Sequence, residues 1–347
     1  MVADSFDVVI GVDTHRDSHT LALLRACDGG LLYEEQLPAN RAGYRTALRL
    51  GRRGGARRLW ALAGSGCYGA GLARFLAERG ERVVEVERPA REGSRRRLKS
   101  DALDALRAAR TALAGQAQAC PRAAGAREAL RVLLLAREGA VATRRSGLNQ
   151  LRAIVVSAPE ELRERLRGRS KGALVGMCTR LRPQRRQQPE LYATLLALRS
   201  LARRVDEATR EAAELKGEPR QLVSELAPQL LELEGVGPIS AAQVLVSWSH
   251  PGRFRSEAAF ARLAGAPPIP ASSGKVVRHR LDRGGDRQLN RALHTIVLTR
   301  RRRDAATIAY IARRVSEGKS EGDAVRCLKR YLARRLFRLL EGMPQVA

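Results

Sequence analysis

Residues 7–13 have the sequence DVVIGVD, a short apolar run that ends in an aspartate. A continuous apolar run of this length, bounded by polar residues, is typical of a buried β-strand. It predicts that Asp13 lies at the end of a central strand. Two further strands are predicted at 19–24 and 31–37, the second introduced by the turn residues Asp28-Gly29-Gly30.

Helices alternate with strands in the rest of the first region. We predict helices at 41–53, 68–79 and 100–113, and strands at 58–62 and 82–87. The resulting order, three strands followed by helix, strand, helix, strand and helix, is that of the ribonuclease-H-like fold. In that fold, metal-binding acids lie on the first strand, the fourth strand and a final helix. Region 1–120 is therefore predicted to be an α/β domain of this class.

Three aspartates occupy positions where this fold places metal ligands. Asp13 ends the first strand, and Asp101 and Asp104 are three residues apart on the final helix, so they share one face. Carboxylate oxygens are hard ligands that suit Mg²⁺, and two such ions ~3.5–4 Å apart clamp attacking and leaving oxygens. Each acid also has an alternative interpretation by itself. Asp101 could serve in helix capping, and Asp104 could be a solvent-exposed residue of the helix. Together the three acids predict a Mg²⁺ site.

Ala63 stands where the fold requires a fourth carboxylate, at the end of the strand RRLWALAG (57–64). Loss of one carboxylate is expected to weaken metal binding. Glu85 and Glu87 lie on the neighbouring predicted strand, where a replacement would require a shift. The sequence leaves three explanations open: a natural but impaired copy, a residue altered to trap a complex, and a remote acid that substitutes.

The charge balance favours a polyanionic partner. Of 347 residues, 64 are Lys or Arg and 36 are Asp or Glu, which gives a formal net charge of +28. Codon bias explains the preference for Arg over Lys, but it does not explain the excess over acids. Basic side chains placed on phosphates release counterions, so we predict nucleic-acid binding. Because aromatic residues make up only 4% of the chain, contact with phosphates is expected to dominate over base stacking.

Other features predict a protein of the bacterial cytoplasm, associated with the nucleoid and without a membrane partner. The N-terminal residues 1–13 lack a basic segment and a long apolar stretch, as a signal peptide or membrane anchor would require. The five cysteines are scattered and have no metal-binding spacing, so we expect small core residues in a reducing compartment.

Region 121–220 is predicted to be helical. An apolar stripe with three-or-four spacing indicates one long helix, through Leu191, Leu195, Leu198, Ala202, Val205, Ala208, Ala212 and Leu215. A second stripe indicates its partner, through Leu130, Leu134, Val141, Leu148, Leu151 and Val155. Two interpretations stay open: a helical hairpin within one subunit, and an antiparallel coiled-coil arm that carries a dimer contact.

Region 221–347 is predicted to be a mainly α domain. It contains LLELEGVGPISAAQVL (230–245), which resembles a hairpin between two short helices of the kind that holds a DNA backbone. Gly235 and Gly237 flank a turn that could present backbone N–H groups to a phosphate at a helix N-terminus. A plain packing turn is the alternative interpretation.

A serine-rich and arginine-rich block, GAPPIPASSGKVVRHRLDRGGDRQLNRAL (265–293), follows. Its glycines, including Gly284 and Gly285, permit close backbone approach to a ligand. A serine hydroxyl among cations is suited to attack a phosphodiester, whereas a phosphate-binding loop without a nucleophile is the alternative. The candidate residues of this block are Ser272, Ser273, Lys275, Arg278, Arg280, Arg283, Arg287 and Arg291.

Several blocks in this order resemble the Piv/MooV-type insertion-sequence transposases, which are bridge-RNA-guided recombinases. The similar blocks run nearly end to end: GVDTHRDSH (11–19), AGSGCYGAGLARFL (63–76), VVEVERP (83–89), LKSDALDA (98–105), LEGVGPISA (233–241) and GGDRQLNRAL (284–293). The resemblance implies a RuvC-like acidic site of Asp, Glu, Asp and Asp. These positions correspond to Asp13, Ala63, Asp101 and Asp104. The resemblance also implies a nucleophilic serine before a glycine, which favours Ser273 over Ser272.

The resemblance further implies a structured guide RNA, donor and target DNA, and a homo-oligomer, dimeric or tetrameric, in which the acidic site of one subunit meets the serine of another. The leading hypothesis is a DNA transposase that works through a transient serine–DNA linkage with Mg²⁺. Two alternatives remain: an inactive relative that binds RNA and DNA, and a RuvC-like junction nuclease without a covalent intermediate.

Overall fold

The structure is a computed structural model that describes residues 2–86, 100–116, 119–270, 279–280, 282 and 284–342. Its contacts divide the chain into two compact units, the first of residues 1–124 and 249–255 and the second of residues 125–248 and 256–347. Each unit has its own hydrophobic core. The predicted division into domains at residues 120 and 220 stays a prediction.

After a short first helix that was not predicted, the strands and helices of the first unit follow the predicted order. Its elements are α1 (Val2–Ser5), β1 (Val8–Thr14), β2 (Ser18–Arg25), β3 (Leu31–Pro38), α2 (Arg41–Gly54), β4 (Arg58–Ala63), α3 (Ala70–Ala77), β5 (Arg82–Val86) and α4 (Asp101–Leu113). The predicted mixed α/β region is confirmed, and its assignment to the ribonuclease-H-like class stays a prediction.

The five strands form one sheet in the order β3-β2-β1-β4-β5. The pairs β3–β2 and β2–β1 are antiparallel hairpins, whereas β1–β4 and β4–β5 are parallel. β1 is therefore central, and all seven of its residues are buried. This position explains why its sequence is a continuous apolar run instead of an alternating one.

Helices cover both faces of the sheet, and the alternation of side chains along each strand decides which residue meets which helix. On one face, Ile10 and Trp60 pack with residues of α2 and α3. On the other face, Val9 and Ala61 pack with Ala109 and neighbouring residues of α4. The strand residues that follow in the same phase as Val9 and Ala61 therefore face α4.

The short segment 249–255 belongs to the first unit through contacts with the chain that follows α4. Ser249, which has a positive φ of 80°, accepts a hydrogen bond from Ala123 N–H at 2.8 Å through its Oγ. His250 Nε2 lies 3.1 Å from Pro121 O. These contacts close a loop between residues that are distant in sequence.

The second unit is helical apart from one pair of two-residue strands in the residues that the structure describes. Its elements are α5 (Ala126–Ser157), α6 (Glu160–Leu166), α7 (Lys171–Thr179), α8 (Pro189–Glu214), α9 (Gly217–Leu226), α10 (Pro238–Trp248), α11 (Glu257–Leu263), β6 (Ile269–Pro270), β7 (His279–Arg280), α12 (Arg287–Arg300), α13 (Ala305–Ser316) and α14 (Glu321–Glu341). The predicted predominance of helix is confirmed.

The two apolar stripes predicted between residues 130 and 215 pack against each other within the chain. Leu198, Ala202 and Val205 of α8 are buried in one core with Leu151 of α5. At Gly147 the two helices approach so closely that an added Cβ would lie 2.5 Å from Val205 Cγ2. The stripes thus form an intramolecular helical hairpin, and a dimer contact through this region stays a proposal that would need other residues.

Seven of the eleven residues of α10 are buried, and α5, α9 and α12 pack around it. Asp286 joins α10 to the start of α12. Its Oδ1 caps α12 by accepting hydrogen bonds from Gln288 N and Leu289 N, and its Oδ2 accepts one from Ser247 Oγ of α10 at 2.7 Å. Asp286 therefore holds the start of α12, within the GGDRQLNRAL segment, against α10.

Candidate metal centre

Asp13 and Ala63 are direct neighbours on the parallel strands β1 and β4. The pairing runs from Val8 opposite Arg58 to Asp13 opposite Ala63, so both residues lie at the carboxyl ends of their strands. Both continue the phase of residues that pack on α4. A carboxylate at position 63 would therefore stand beside Asp13 on the same face of the sheet.

The ends of these two strands are tied together by Thr14. Its Oγ1 donates a hydrogen bond to Ala63 O at 2.6 Å, and Thr14 is fully buried. Gly69 closes the following loop against Thr14, because a Cβ at position 69 would lie 2.9 Å from Thr14 Cγ2. Ala63 itself is 7% exposed, so it contributes a buried methyl group to this corner.

α4 carries Asp101 and Asp104 to the same end of the sheet. Asp101 is the first residue of the helix, and Ser100 precedes it without a side-chain capping hydrogen bond. The helix can approach β1 because Gly11 has no side chain: a Cβ there would lie 2.0 Å from Ala105 O. The small residues of α4, Ala105 and Ala109, complete this close packing.

His15 joins the two acids that the strand and the helix supply. Its Nε2 lies 2.9 Å from Asp13 Oδ2 and 3.4 Å from Asp101 Oδ1. One donor atom from each of the three residues lies within 4.8 Å of the others, a spacing that suits a single bound cation. Asp13 is 7% exposed in its side chain, whereas His15 and Asp101 are 45% and 52% exposed. The group is therefore open to solvent on one side.

His15 was not among the site residues predicted from the sequence. The signal was present in GVDTH, where a histidine follows the strand-ending aspartate by two residues, but the pattern alone does not say where the ring lies. The β1–β2 turn decides this, since His15 N–H donates to Ser18 O at 3.0 Å. His19, by contrast, is buried on the opposite face of the sheet, where its ring stacks on that of Tyr44 with the ring centroids 5.7 Å apart. Burial lowers the pKa of His19.

Asp104 lies one turn further along α4 and is not part of this three-residue group. Its Oδ1 accepts a hydrogen bond from Arg107 at 3.0 Å, and its side chain is 46% exposed. The structure thus brings Asp13 and Asp101 together, whereas Asp104 is engaged by a neighbouring cation. The assignment of all three acids as metal ligands stays a proposal.

Glu85 does not place a carboxylate beside Asp13 from its position in β5. It pairs with Leu62 and lies in the phase of Val83, which packs on the face opposite to α4. Arg253 lies 3.9 Å from its Oε2. Because a one-residue shift would move every side chain of β5 to the other face, such a replacement would disrupt the core. Glu87 lies outside the described residues.

Five of the eight candidate residues of the serine block also lie outside the described residues, namely Ser272, Ser273, Lys275, Arg278 and Arg283. Arg280 is exposed in β7, and Arg287 is exposed as the first residue of α12. Arg291, one turn later, forms a two-pronged ion pair with Glu138 at 2.7 and 2.6 Å. These hydrogen bonds raise the pKa of Arg291 and lower that of Glu138.

Two glycines that were predicted to allow close approach to a ligand have other contacts. A Cβ at Gly285 would lie 2.4 Å from Leu263 O, so its close approach is to the chain's own turn. Asn290 strengthens the same turn by donating to Ala264 O at 2.6 Å. Gly284 N–H donates to Asp282 Oδ1 at 2.8 Å. A cavity of about 250 Å³ lies beside this turn, lined by Gly265, Asp282, Asp286 and Arg287 among others.

The predicted phosphate-binding turn at Gly235 and Gly237 immediately precedes α10. Gly235 has a positive φ of 77° and packs against α12, where a Cβ would lie 2.9 Å from Arg300 Cγ. The Val236 N–H donates to Leu233 O at 3.0 Å, so this amide is used within the turn. Gly237 is exposed. The packing role of Gly235 is therefore clear, and phosphate binding by the turn stays a proposal.

Comparisons with known proteins match two separate parts of the chain. A family model of DEDD transposases of the IS110 type, described as a transposase, matches residues 10–158. A second model, described as transposase of the IS116/IS110/IS902 family, matches residues 227–312. The first match contains Asp13, Asp101 and Asp104, and the second contains the serine block.

A curated relative is similar over part of the chain. It is the insertion element IS110 uncharacterized 43.6 kDa protein of Streptomyces coelicolor, 34% identical over 116 residues. These residues are 33% of this chain and 29% of the relative, so the similarity spans less than a third of that protein's length. Among the described residues, no helix has the length and apolar character needed to cross a membrane.

Proposed function

Because the chain belongs to the IS110-type family of transposases, we propose that it is a DNA transposase that cuts and rejoins strands at an acidic metal site. The observation that carries this proposal is the meeting of Asp13 and Asp101 around His15 at the end of the sheet. The order of strands and helices in the first unit supports a ribonuclease-H-like, RuvC-like domain.

The donor set fits a divalent cation. Asp13 and Asp101 offer carboxylate oxygens within 4.8 Å of each other and of His15 Nε2, with one open side for a substrate phosphate. Asp104 would join them after release from Arg107, since Asp101 and Asp104 share one helix face. When bound there, Mg²⁺ would stabilise negative charge on a phosphodiester and help to orient it.

In the proposed reaction, Ser273 supplies the nucleophile and Ser272 is the less favoured candidate. The hydroxyl oxygen of Ser273 forms a bond to a DNA phosphorus, and the bond from that phosphorus to a deoxyribose oxygen breaks. The proton of the serine hydroxyl is transferred to the released deoxyribose oxygen. A second exchange, in which a hydroxyl of the new strand attacks the phosphoserine, rejoins the DNA and restores the serine. Each step exchanges one phosphate ester for another, so no external energy source is needed.

Basic side chains would hold the nucleic acids. Arg280 and Arg287 are exposed near the start of α12, and the net charge of +28 suits a large phosphate surface. We assign donor and target DNA and a structured guide RNA from the element as partners, with specificity read by base pairing to the guide. A dimer or tetramer, with a contact through residues of the α5–α8 region outside the buried stripes, would bring the acidic site of one subunit to the serine of another.

Ala63 supports a second candidate function, an RNA- and DNA-binding relative that does not cut. The residue beside Asp13 offers only a methyl group, and the neighbouring Glu85 faces the other side of the sheet. Under this alternative the chain binds the same partners but leaves the DNA intact. An intermediate possibility is a transposase whose DNA cleavage is weak when Mg²⁺ is the bound metal.

Trapping of the covalent intermediate tests the proposal. The full chain and its Ala63→Glu form are incubated with end-labelled donor DNA, target DNA, guide RNA and a divalent metal, and then denatured and separated by size. We expect a DNA adduct that survives denaturation, that is lost in Ser273→Ala and that persists in Ser272→Ala. Cleavage without an adduct would identify a junction nuclease instead. Binding without cleavage by the native chain would favour the non-cutting relative.

A further inference from the structure

We propose that His15 is a metal ligand in this chain, that it takes the place left by the residue at position 63, and that it makes the site favour Mn²⁺ over Mg²⁺. The inference rests on the proposed function in one respect, namely that Asp13 and Asp101 hold a divalent cation. It adds a ligand, a change of ligand chemistry and a metal preference.

The distances around His15 match those between neighbouring ligands of one ion. Ligand atoms ~2.0–2.2 Å from an octahedral cation lie ~3 Å apart when they are adjacent. His15 Nε2 is 2.9 Å from Asp13 Oδ2 and 3.4 Å from Asp101 Oδ1, in the range of such an edge. A cation can therefore be bound by all three donor atoms with only small side-chain movements.

The backbone holds the imidazole in this place and leaves it accessible. His15 N–H is bound to Ser18 O in the β1–β2 turn, and the preceding Thr14 is buried and bonded to Ala63 O. The His15 side chain is nevertheless 45% exposed, so a hydrated cation can reach Nε2 from solvent. The backbone of His15 is thus held in place while its imidazole is open to solvent on one side, as a site for an exchangeable metal ion requires.

Position 63 offers no competing oxygen to the cation. The Ala63 side chain is a methyl group, and the carbonyl of Ala63 accepts the Thr14 hydroxyl at 2.6 Å. Glu85 lies in the opposite phase of its strand. Among the described residues, the donor set that remains is two carboxylates and one imidazole.

One nitrogen in place of one oxygen changes the preferred metal. Mg²⁺ is a hard cation that favours oxygen ligands and keeps its waters, whereas imidazole suits first-row transition metals. Mn²⁺ shares with Mg²⁺ the preference for carboxylate oxygens. As a softer, transition-metal cation it binds an imidazole nitrogen more readily than Mg²⁺ does, and it supports the same positioning of phosphates. The structure therefore gives a site in which Mn²⁺ gains more from His15 than Mg²⁺ does.

Mn²⁺ binding by the full chain tests the inference without any DNA reaction. Free Mn²⁺ is measured by electron paramagnetic resonance during titration, Mg²⁺ is added as a competitor, and pulsed spectra detect coupling of bound Mn²⁺ to a ligand ¹⁴N. We expect ¹⁴N coupling from bound Mn²⁺ and tighter binding of Mn²⁺ than of Mg²⁺. His15→Ala and His15→Gln should each lose the coupling and weaken Mn²⁺ binding by ~10-fold or more, with a smaller effect on Mg²⁺.

Two controls separate the possible outcomes. His294→Ala removes an exposed histidine of α12 and should leave Mn²⁺ binding and the ¹⁴N coupling unchanged. Asp13→Asn should abolish binding whichever residue supplies the nitrogen. If His15→Ala keeps both affinity and coupling while Asp13→Asn loses binding, the His15 inference is wrong and the acidic site stands. If Asp13→Asn also binds Mn²⁺ normally, the proposed metal site itself is wrong.

Discussion

Gly11 of β1 lies directly against the backbone of α4, where a side-chain methyl would come within 2.0 Å of Ala105 O. The glycine therefore sets the distance between the strand that ends in Asp13 and the helix that begins with Asp101. A feature of the core thus controls the spacing of the candidate metal ligands, which lie at the edge of the same sheet.

We expect Gly11→Ala to lower the free energy of unfolding by about 1–3 kcal/mol, because a helix must move to accept the methyl group. The same movement would displace Asp101, so Mn²⁺ affinity should fall as well. Urea unfolding followed by circular dichroism, with a Mn²⁺ titration, measures both effects. Gly139→Ala is the control, since that helical position is open and alanine favours the helix there. If Gly11→Ala and Gly139→Ala changed the free energy of unfolding and the Mn²⁺ affinity equally, the close packing of Gly11 on α4 would be contradicted.

Glu81 forms a buried network in the first unit. Its carboxylate accepts hydrogen bonds from Arg58 at 2.7 and 2.9 Å and from Trp60 Nε1 at 2.9 Å, and its side chain is 3% exposed. Burial opposes ionisation of Glu81, but these hydrogen bonds and the charge of Arg58 outweigh it and lower the pKa. Glu81 is therefore ionised in the folded chain and holds β4 to the turn before β5.

We expect Glu81→Gln to destabilise the chain by about 3–5 kcal/mol at pH 7, because it leaves the Arg58 charge without its partner. Since the folded pKa of Glu81 is depressed, its contribution is present above the unfolded pKa and is lost as pH falls through the folded pKa. The difference in the free energy of unfolding between the native chain and the variant should therefore become smaller at acid pH. Glu78→Gln, at an exposed residue, should change stability by less than ~0.5 kcal/mol at either pH.

The two acids at the start of α4 should differ in their effect on metal binding. Asp101 lies in the group with Asp13 and His15, whereas Asp104 is bound to Arg107. Asp101→Asn should therefore weaken Mn²⁺ binding in the absence of DNA much more than Asp104→Asn does. Calorimetric titration of both variants measures the difference. A larger loss in Asp104→Asn would mean that the acids rearrange before the cation binds.

Arg287 and Arg291 should contribute unequally to nucleic-acid binding, although they lie one turn apart on α12. A side chain that neutralises one phosphate adds ~0.9 to the slope of log affinity against log salt. We expect Arg287→Ala to reduce this slope by about that amount, and Arg291→Ala to reduce it less, because Glu138 already neutralises Arg291. Fluorescence anisotropy with labelled duplex DNA over a range of salt concentrations measures the slopes.

The matched variant Glu138→Gln provides the control for this comparison. It should free Arg291 and steepen the salt dependence of the otherwise native chain. If Arg287→Ala and Arg291→Ala change the slope equally while Glu138→Gln has no effect, the ion pair does not compete with phosphate.

Much of the first unit could be predicted from the sequence because its signals are local. The continuous apolar run of β1 reflects burial on both faces, and each strand end is marked by polar or glycine residues. The position of Asp13 opposite Ala63 then follows from parallel pairing. The ion pair between Glu138 and Arg291 could not be predicted, because it joins residues 153 positions apart.

The candidate site was predictable only in part for a similar reason. Periodicity predicts which face of α4 carries Asp101, but it does not give the direction of a side chain in a turn. His15 reaches both acids because the β1–β2 turn folds its ring toward α4. The two apolar stripes of α5 and α8 show the same limit, since spacing indicates a buried face and does not identify the partner that covers it.

The central claim is that position 63 is the place of a missing metal ligand in a DNA-cutting site. Its most direct test is a recombination assay with donor DNA, target DNA, guide RNA and Mg²⁺, in which the native chain is compared with its Ala63→Glu variant. We expect both chains to recombine DNA, and the variant to do so markedly faster than the native chain in Mg²⁺. Equal rates of recombination by both would contradict the claim, because a carboxylate beside Asp13 would then add nothing to the site.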